Sequence, residues 1–135
     1  MDRSPLGLLI NTGLVEELQH YEVEGRVVID GFHYTQPIQP ASQLTSTLQP
    51  MKKICVAHVF FEDSFAQSHN YKIEDFVKLG YDYYILGHLH DDMPDYHATN
   101  FEVYRIGSLS RGTANEKQLI RDNIYILEYD TVLDK

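Results

Sequence analysis

The chain is 135 residues long, 43% hydrophobic and 12% aromatic, enough apolar material for one compact core but not for two. Eleven Lys plus Arg against twenty Asp plus Glu give a formal charge of -9, which disfavours electrostatic capture of nucleic acid or of an anionic membrane surface. With no run of eighteen apolar residues and no charged-then-apolar leader, the sequence predicts a single cytoplasmic domain over residues 1–135, with no membrane span and no secretory signal.

In chain order, Thr12-Gly-Leu-Val-Glu-Glu-Leu-Gln-His20 resembles the start of a short helix, with Glu16 and Glu17 near its first turn. Arg26-Val-Val-Ile-Asp30 is a β-branched run between Gly25 and Gly31, and Phe32 to Thr35 continues extended, so two short strands are expected there. Residues 36–50, rich in Gln, Ser, Thr and Pro, read as an irregular connection with one helical turn around 42–48. Lys53-Ile-Cys-Val-Ala-His58 has the length and apolarity of a strand buried on both faces. Its Cys55, the only cysteine, reads as a small buried hydrophobe in a reducing compartment.

Residues 59–70 look like a loop. Ile73, Phe76, Val77 and Gly80 fall at helical spacing, and Gly80 suits the left-handed conformation that ends a helix. Strand Tyr83–Leu86 follows at once. Phe101 to Ile106 and Asn123 to Tyr129 alternate apolar with polar residues, as antiparallel strands with one wet face do, and the polar stretch 108–122 between them reads as a loop. The fold class is therefore α/β, a mixed sheet with a parallel βαβ-like centre and antiparallel strands toward the C-terminus.

A βαβ unit brings the C-terminal ends of its two strands to one edge of the sheet, where ligands gather. The first strand ends in His58 and the second in Gly87-His88-Leu89-His90, so three of the seven histidines reach one rim. Gly87 gives the chain freedom to turn there. In a regular strand His88 and His90 would stand roughly 6.5–7 Å apart on one side, a spacing that suits ligands of two metals about 3.5–4 Å apart. Metal ligation at His58, His88 and His90 competes with exposed or structurally hydrogen-bonded histidines.

Val56-Ala-His58, then Tyr84-Ile-Leu-Gly-His-Leu-His90, then Val103-Tyr-Arg-Ile-Gly-Ser108 resembles the C-terminal half of the calcineurin-like metallophosphoesterases, especially their DNA-repair nuclease and phage-type branches. The likeness covers about residues 53–110. It implies a sandwich architecture, with His58 and His88 serving one divalent transition metal (Mn, Fe, Zn or Ni) and His90 a second in a complete enzyme. The family's earlier motifs, D-x-H, G-D-x-x-D and G-N-H followed by Asp or Glu, are missing, apart from Asp95-Tyr96-His97, which comes after the G-H-x-H and reads as coincidence. The sequence thus looks like the C-terminal portion of a phosphoesterase domain. Three neutral imidazoles do not offset two dications, so the chain alone is expected to be inactive on phosphate esters.

Asp91 and Asp92 are candidates to orient a ligand imidazole, or else form a solvated turn. Arg111, with Ser108 and Ser110, is a candidate phosphate clamp, or else a surface charge on a turn. Glu62 and Asp63 fit a cation site and an exposed loop equally well. His33 reads as structural, while His20, His69 and His97 read as surface residues. The expected partners are an N-terminal half of the enzyme or a second copy of the chain, with a phosphate ester as substrate. Nucleic acid has only the nuclease likeness in its favour. The competing function is a non-catalytic metal-binding or protein-interaction module that keeps the fold.

Overall fold

The computed structural model describes residues 3–41, 52–63, 70–88, 94–106, 126–130 and 132–133. Within them lie helices α1 (Pro5–Asn11) and α2 (Ile73–Leu79). The strands are β1 (His20–Val23), β2 (Val27–Phe32), β3 (Lys52–His58), β4 (Phe60–Phe61), β5 (Asn70–Tyr71), β6 (Tyr83–Gly87), β7 (Tyr96–His97) and β8 (Glu102–Arg105). Six of them form one mixed sheet in the order β1-β2-β3-β6-β8-β7, and β4 pairs with β5 separately.

The apolar, β-branched segments make the centre of the sheet. Strands β2, β3, β6 and β8 are mutually parallel, so Phe32, His58, Gly87 and Arg105 end at one edge. Helix α2 lies between β3 and β6 in the chain, as the expected βαβ unit requires. The amide of Lys72 donates to the Asp75 carboxylate at its start, and Gly80 closes it at φ 78°.

Several expectations are corrected. The first helix ends at Thr12 instead of starting there: Ser4 accepts from the Gly7 amide, Pro5 occupies the first turn, and the Thr12 hydroxyl donates back to the last turn's carbonyls. Residues 20–23 form β1 instead of a helix end, folding onto β2 through a turn in which Glu24 and Gly25 both have positive φ. One strand, β2, replaces the two read over 26–35, and the stretch read as a loop carries the short strands β4 and β5.

Strand β8 runs parallel to β6, not antiparallel. The antiparallel place beside β8 falls to β7, turned back by the Ala98 amide donating to the Phe101 carbonyl. Residues 126–129 of the last predicted strand are not in a strand among the described residues, and residues 123–125 of it, the helical turn around 42–48 and the loop 108–122 lie outside the described residues.

One face of the sheet carries the core. Phe76 of α2 stacks on Tyr84 of β6 at 4.0 Å and on Phe61 at 4.6 Å, both near-parallel, and the Tyr84 hydroxyl donates to the Phe76 carbonyl at 2.7 Å. Phe76 and Tyr84 are fully buried, each removing a large apolar ring from water. On β3 the alternation puts Cys55 and Ala57 in this core, while on the other face Ile54 is buried, Val56 half-buried and His58 exposed, so the middle of β3 is covered on both faces and its end is not. Burial pushes the Cys55 thiol pKa well above its ordinary value, and Asp30 adds to the shift.

The row that crosses the sheet through Asp30, Cys55, Tyr84 and Val103 is buried throughout, and it contains a carboxylate. A buried charge persists only when paired and hydrogen-bonded. His20, directly opposite on β1, meets Asp30 Oδ1 through Nδ1 at 2.5 Å, and the Tyr81 hydroxyl donates to Oδ2 at 2.8 Å. The second His20 nitrogen meets Glu22 at 3.0 Å. Glu22 first, then Asp30, raise the His20 pKa. His20 is exposed, as expected, and is also the clasp of the edge strand.

A charge held this way stabilises the fold fully below the free imidazole's pKa of about 6.5 and less as pH rises through the raised value. In thermal unfolding, the Tm advantage of the natural chain over His20→Ala should be larger at about pH 6 than at about pH 9. A constant gap would show that the clasp carries no charge. Gly31 marks a second close approach, since a Cβ there would run into the Leu18 carbonyl and come within 2.8 Å of its side chain. Gly31→Ala should cost about 1–3 kcal/mol in denaturant unfolding.

Candidate metal centre

Register sets the site. His58, the last residue of β3, pairs with Gly87, the last residue of β6, so the next residue, His88, emerges beside it. The sequence assigns the turning freedom to Gly87, but the structure uses it one residue later. His88 has φ 131°, in the region that favours glycine, whereas a Cβ on Gly87 would meet nothing within 4 Å. Such a backbone costs of order 1–3 kcal/mol and persists only where its surroundings hold it.

His58 Nε2 lies 2.6 Å from His88 Nδ1. At that distance one nitrogen donates and the other accepts, with the roles set by the ring tautomers. The imidazoles meet edge to face with centroids 4.6 Å apart. Phe60 of β4 abuts the His88 ring at 4.0 Å and 81°. Tyr34, from the turn after β2, stacks on it at 5.2 Å and 23° and meets His58 edge-on at 5.4 Å.

The pair fits a small divalent ion in donor type, because borderline cations favour imidazole nitrogen. Two nitrogens each about 2.0–2.1 Å from a tetrahedral ion stand roughly 3.3 Å apart, so admitting one would open the pair by under about 1 Å. Two ligands do not complete a site. Among the described residues no group of three or more His, Cys, Asp or Glu is placed to hold a metal. His90, Asp91, Asp92 and Arg111 lie outside the described residues, as do His69, Ser108 and Ser110.

Other candidates separate from the pair. His33 is exposed beside Thr35, and His97 faces Glu102 at 3.3 Å on the far edge strand. Asp95 accepts from the Arg105 amide, and Tyr96–His97 form the edge strand β7, which places Asp95-Tyr96-His97 at the margin of the sheet. Glu62 accepts from the Ile73 amide at 2.7 Å and pairs with Lys72, which ties it to the start of α2.

The basic residue at the ligand edge that the sequence reading missed is Arg105, at the end of β8. Its guanidinium lies over the Phe61 ring at 5.0 Å; burial lowers its pKa, opposed by Asp63, Asp95 and Glu62. The run Val103-Tyr-Arg-Ile-Gly107 signalled a strand end there, but not the ring beneath the side chain.

No family model, curated protein or solved structure matches the chain. No described helix is long and apolar enough to cross a membrane.

The backbone at residue 88 is directly testable. His88→Gly and His88→Ala both remove the ring, but only glycine relieves the positive φ. The Gly variant should be more stable than the Ala variant by about 1 kcal/mol or more in denaturant unfolding. Equal stabilities would mean the turn is not held there in solution.

Proposed function

We propose that the chain is a portion of a metal-dependent phosphoesterase in which His58 and His88 hold one divalent transition metal and His90 contributes to the site. The observation that carries this reading is the 2.6 Å approach of two ring nitrogens at the ends of adjacent parallel strands. When bound, such an ion supplies Lewis acidity, polarising a phosphoryl group and acidifying water for hydrolysis of a phosphomonoester or phosphodiester. The chain's own residues would orient the ring nitrogens and, through Arg111, bind the phosphate. On this reading the mixed sheet is one layer of a metallophosphoesterase sandwich, and nuclease and phosphatase activities are both open to it.

The bridging carboxylate must come from elsewhere, either an N-terminal half of the enzyme or a second copy. The aliphatic side chains of α1 and its sequel, with Leu6 56% and Leu14 76% exposed, offer such a partner an apolar surface. The alternative, a non-catalytic metal-binding or protein-interaction module, uses the same residues.

Purified without an affinity tag and loaded with manganese or zinc, the chain should retain metal by elemental analysis, and His58→Ala or His88→Ala should lose most of it. Its hydrolysis of a chromogenic phosphodiester should not exceed that of His88→Ala until a polypeptide bearing the missing carboxylate motifs is added. Turnover by the chain alone would refute the inactivity. Metal retention without restored turnover would favour the module, and retention untouched by either substitution would overturn the metal reading.

A further inference from the structure

The conformation of His88 is not explained by its own segment. Its backbone occupies a region that disfavours side chains, and the imidazole has two torsions through which Nδ1 can swing away from His58. Two rings from other elements oppose that swing. Phe60 stands edge-on to the imidazole and Tyr34 lies along it, so rotating the ring drives it into one or the other. Tyr34 also meets His58, and so touches both members of the pair.

Tyr34 is 41% exposed, which is not where a ring serving only the core belongs. It sits at the C-terminal edge because β2 runs parallel to β3, so the turn after β2 arrives beside the end of β3. Phe60 is two residues beyond His58, across the single residue between β3 and β4. The topology that brings the histidines together thus brings both rings to them.

We infer that Tyr34 and Phe60 are positioning residues that hold the His88 ring with Nδ1 turned toward His58, presetting the pair to receive one divalent transition-metal ion. This rests on the metal reading above. Holding a ligand ring in its binding orientation before the ion arrives lowers the ordering cost of binding, and supports of this kind are commonly worth tenfold or more in metal affinity.

Cobalt(II) is the probe, since its visible d–d absorption reports the donor geometry without any turnover. Titrated into the full chain, it should bind the natural protein and fail to bind His58→Ala. Tyr34→Phe, which keeps the ring, should bind like the natural chain, whereas Tyr34→Ala and Phe60→Leu should each bind about tenfold more weakly with an altered band. Circular dichroism should show all variants folded. In the metal-free protein the His88 ring-proton resonance should carry the ring-current shift of its neighbours and lose it in Tyr34→Ala.

Unchanged cobalt affinity and band shape in both Tyr34→Ala and Phe60→Leu, with His58→Ala still deficient, would overturn the positioning role and leave the metal reading standing. No cobalt absorption in the natural chain would overturn the metal reading, and the presetting with it, even if the ring-proton shift behaves as expected.

Discussion

The parallel pairing of β3 with β6, at a register that sets Cys55 against Tyr84 and His58 against Gly87, is the constraint on which the rest of the structure depends. Side chains alternate across a strand, so a slip of one residue would turn Cys55 and Ala57 out of the core and drive Val56 and His58 into it. The Phe61-Phe76-Tyr84 stack opposes that slip, because those rings pack flat against one another over one face only. The same packing that buries the core therefore sets the place where two ring nitrogens meet.

The sheet also carries a polar group where an apolar one would serve packing as well. Asp30 occupies the fully buried row and is tolerated because His20 meets one of its oxygens and Tyr81 the other. The arrangement fastens β1, whose own pattern is mostly exposed, to a sheet that would otherwise hold it by backbone bonds alone. Polar pairing anchors one margin of the sheet while aromatic stacking fixes its middle, so the two act on different parts of the same layer.

The most legible parts of the sequence were those with strong local patterning. Apolar runs ending in histidine gave β3 and β6, and the spacing of Ile73, Phe76, Val77 and Gly80 gave α2 with its left-handed cap. Hidden features depended on pairing partners. Alternation marked residues 101–106 as a strand but held no information on direction, and only the register of β1 with β2 puts His20 opposite Asp30, ten residues away. Ser4-Pro5 carries a helix-start pattern of its own, but the acidic residues after Thr12 form a competing one. His58 and His88 were legible as neighbours because a βαβ unit obliges their strands to end together; the rings of Tyr34 and Phe60 around them were not, since Tyr34 arrives from the turn after β2 and Phe60 from the short strand β4, in a stretch whose sequence reads as a loop.

The environment of Cys55 has a practical side. The chain's sole thiol is fully enclosed, and its proton is held by that enclosure and by the neighbouring Asp30 carboxylate. A thiolate is the species that alkylating and oxidising reagents attack, so the native sulfur is poorly reactive while the fold is intact. A cysteine introduced on an exposed turn would then be the one labelling position, and fluorophores or spin probes can be attached there without first removing the natural residue.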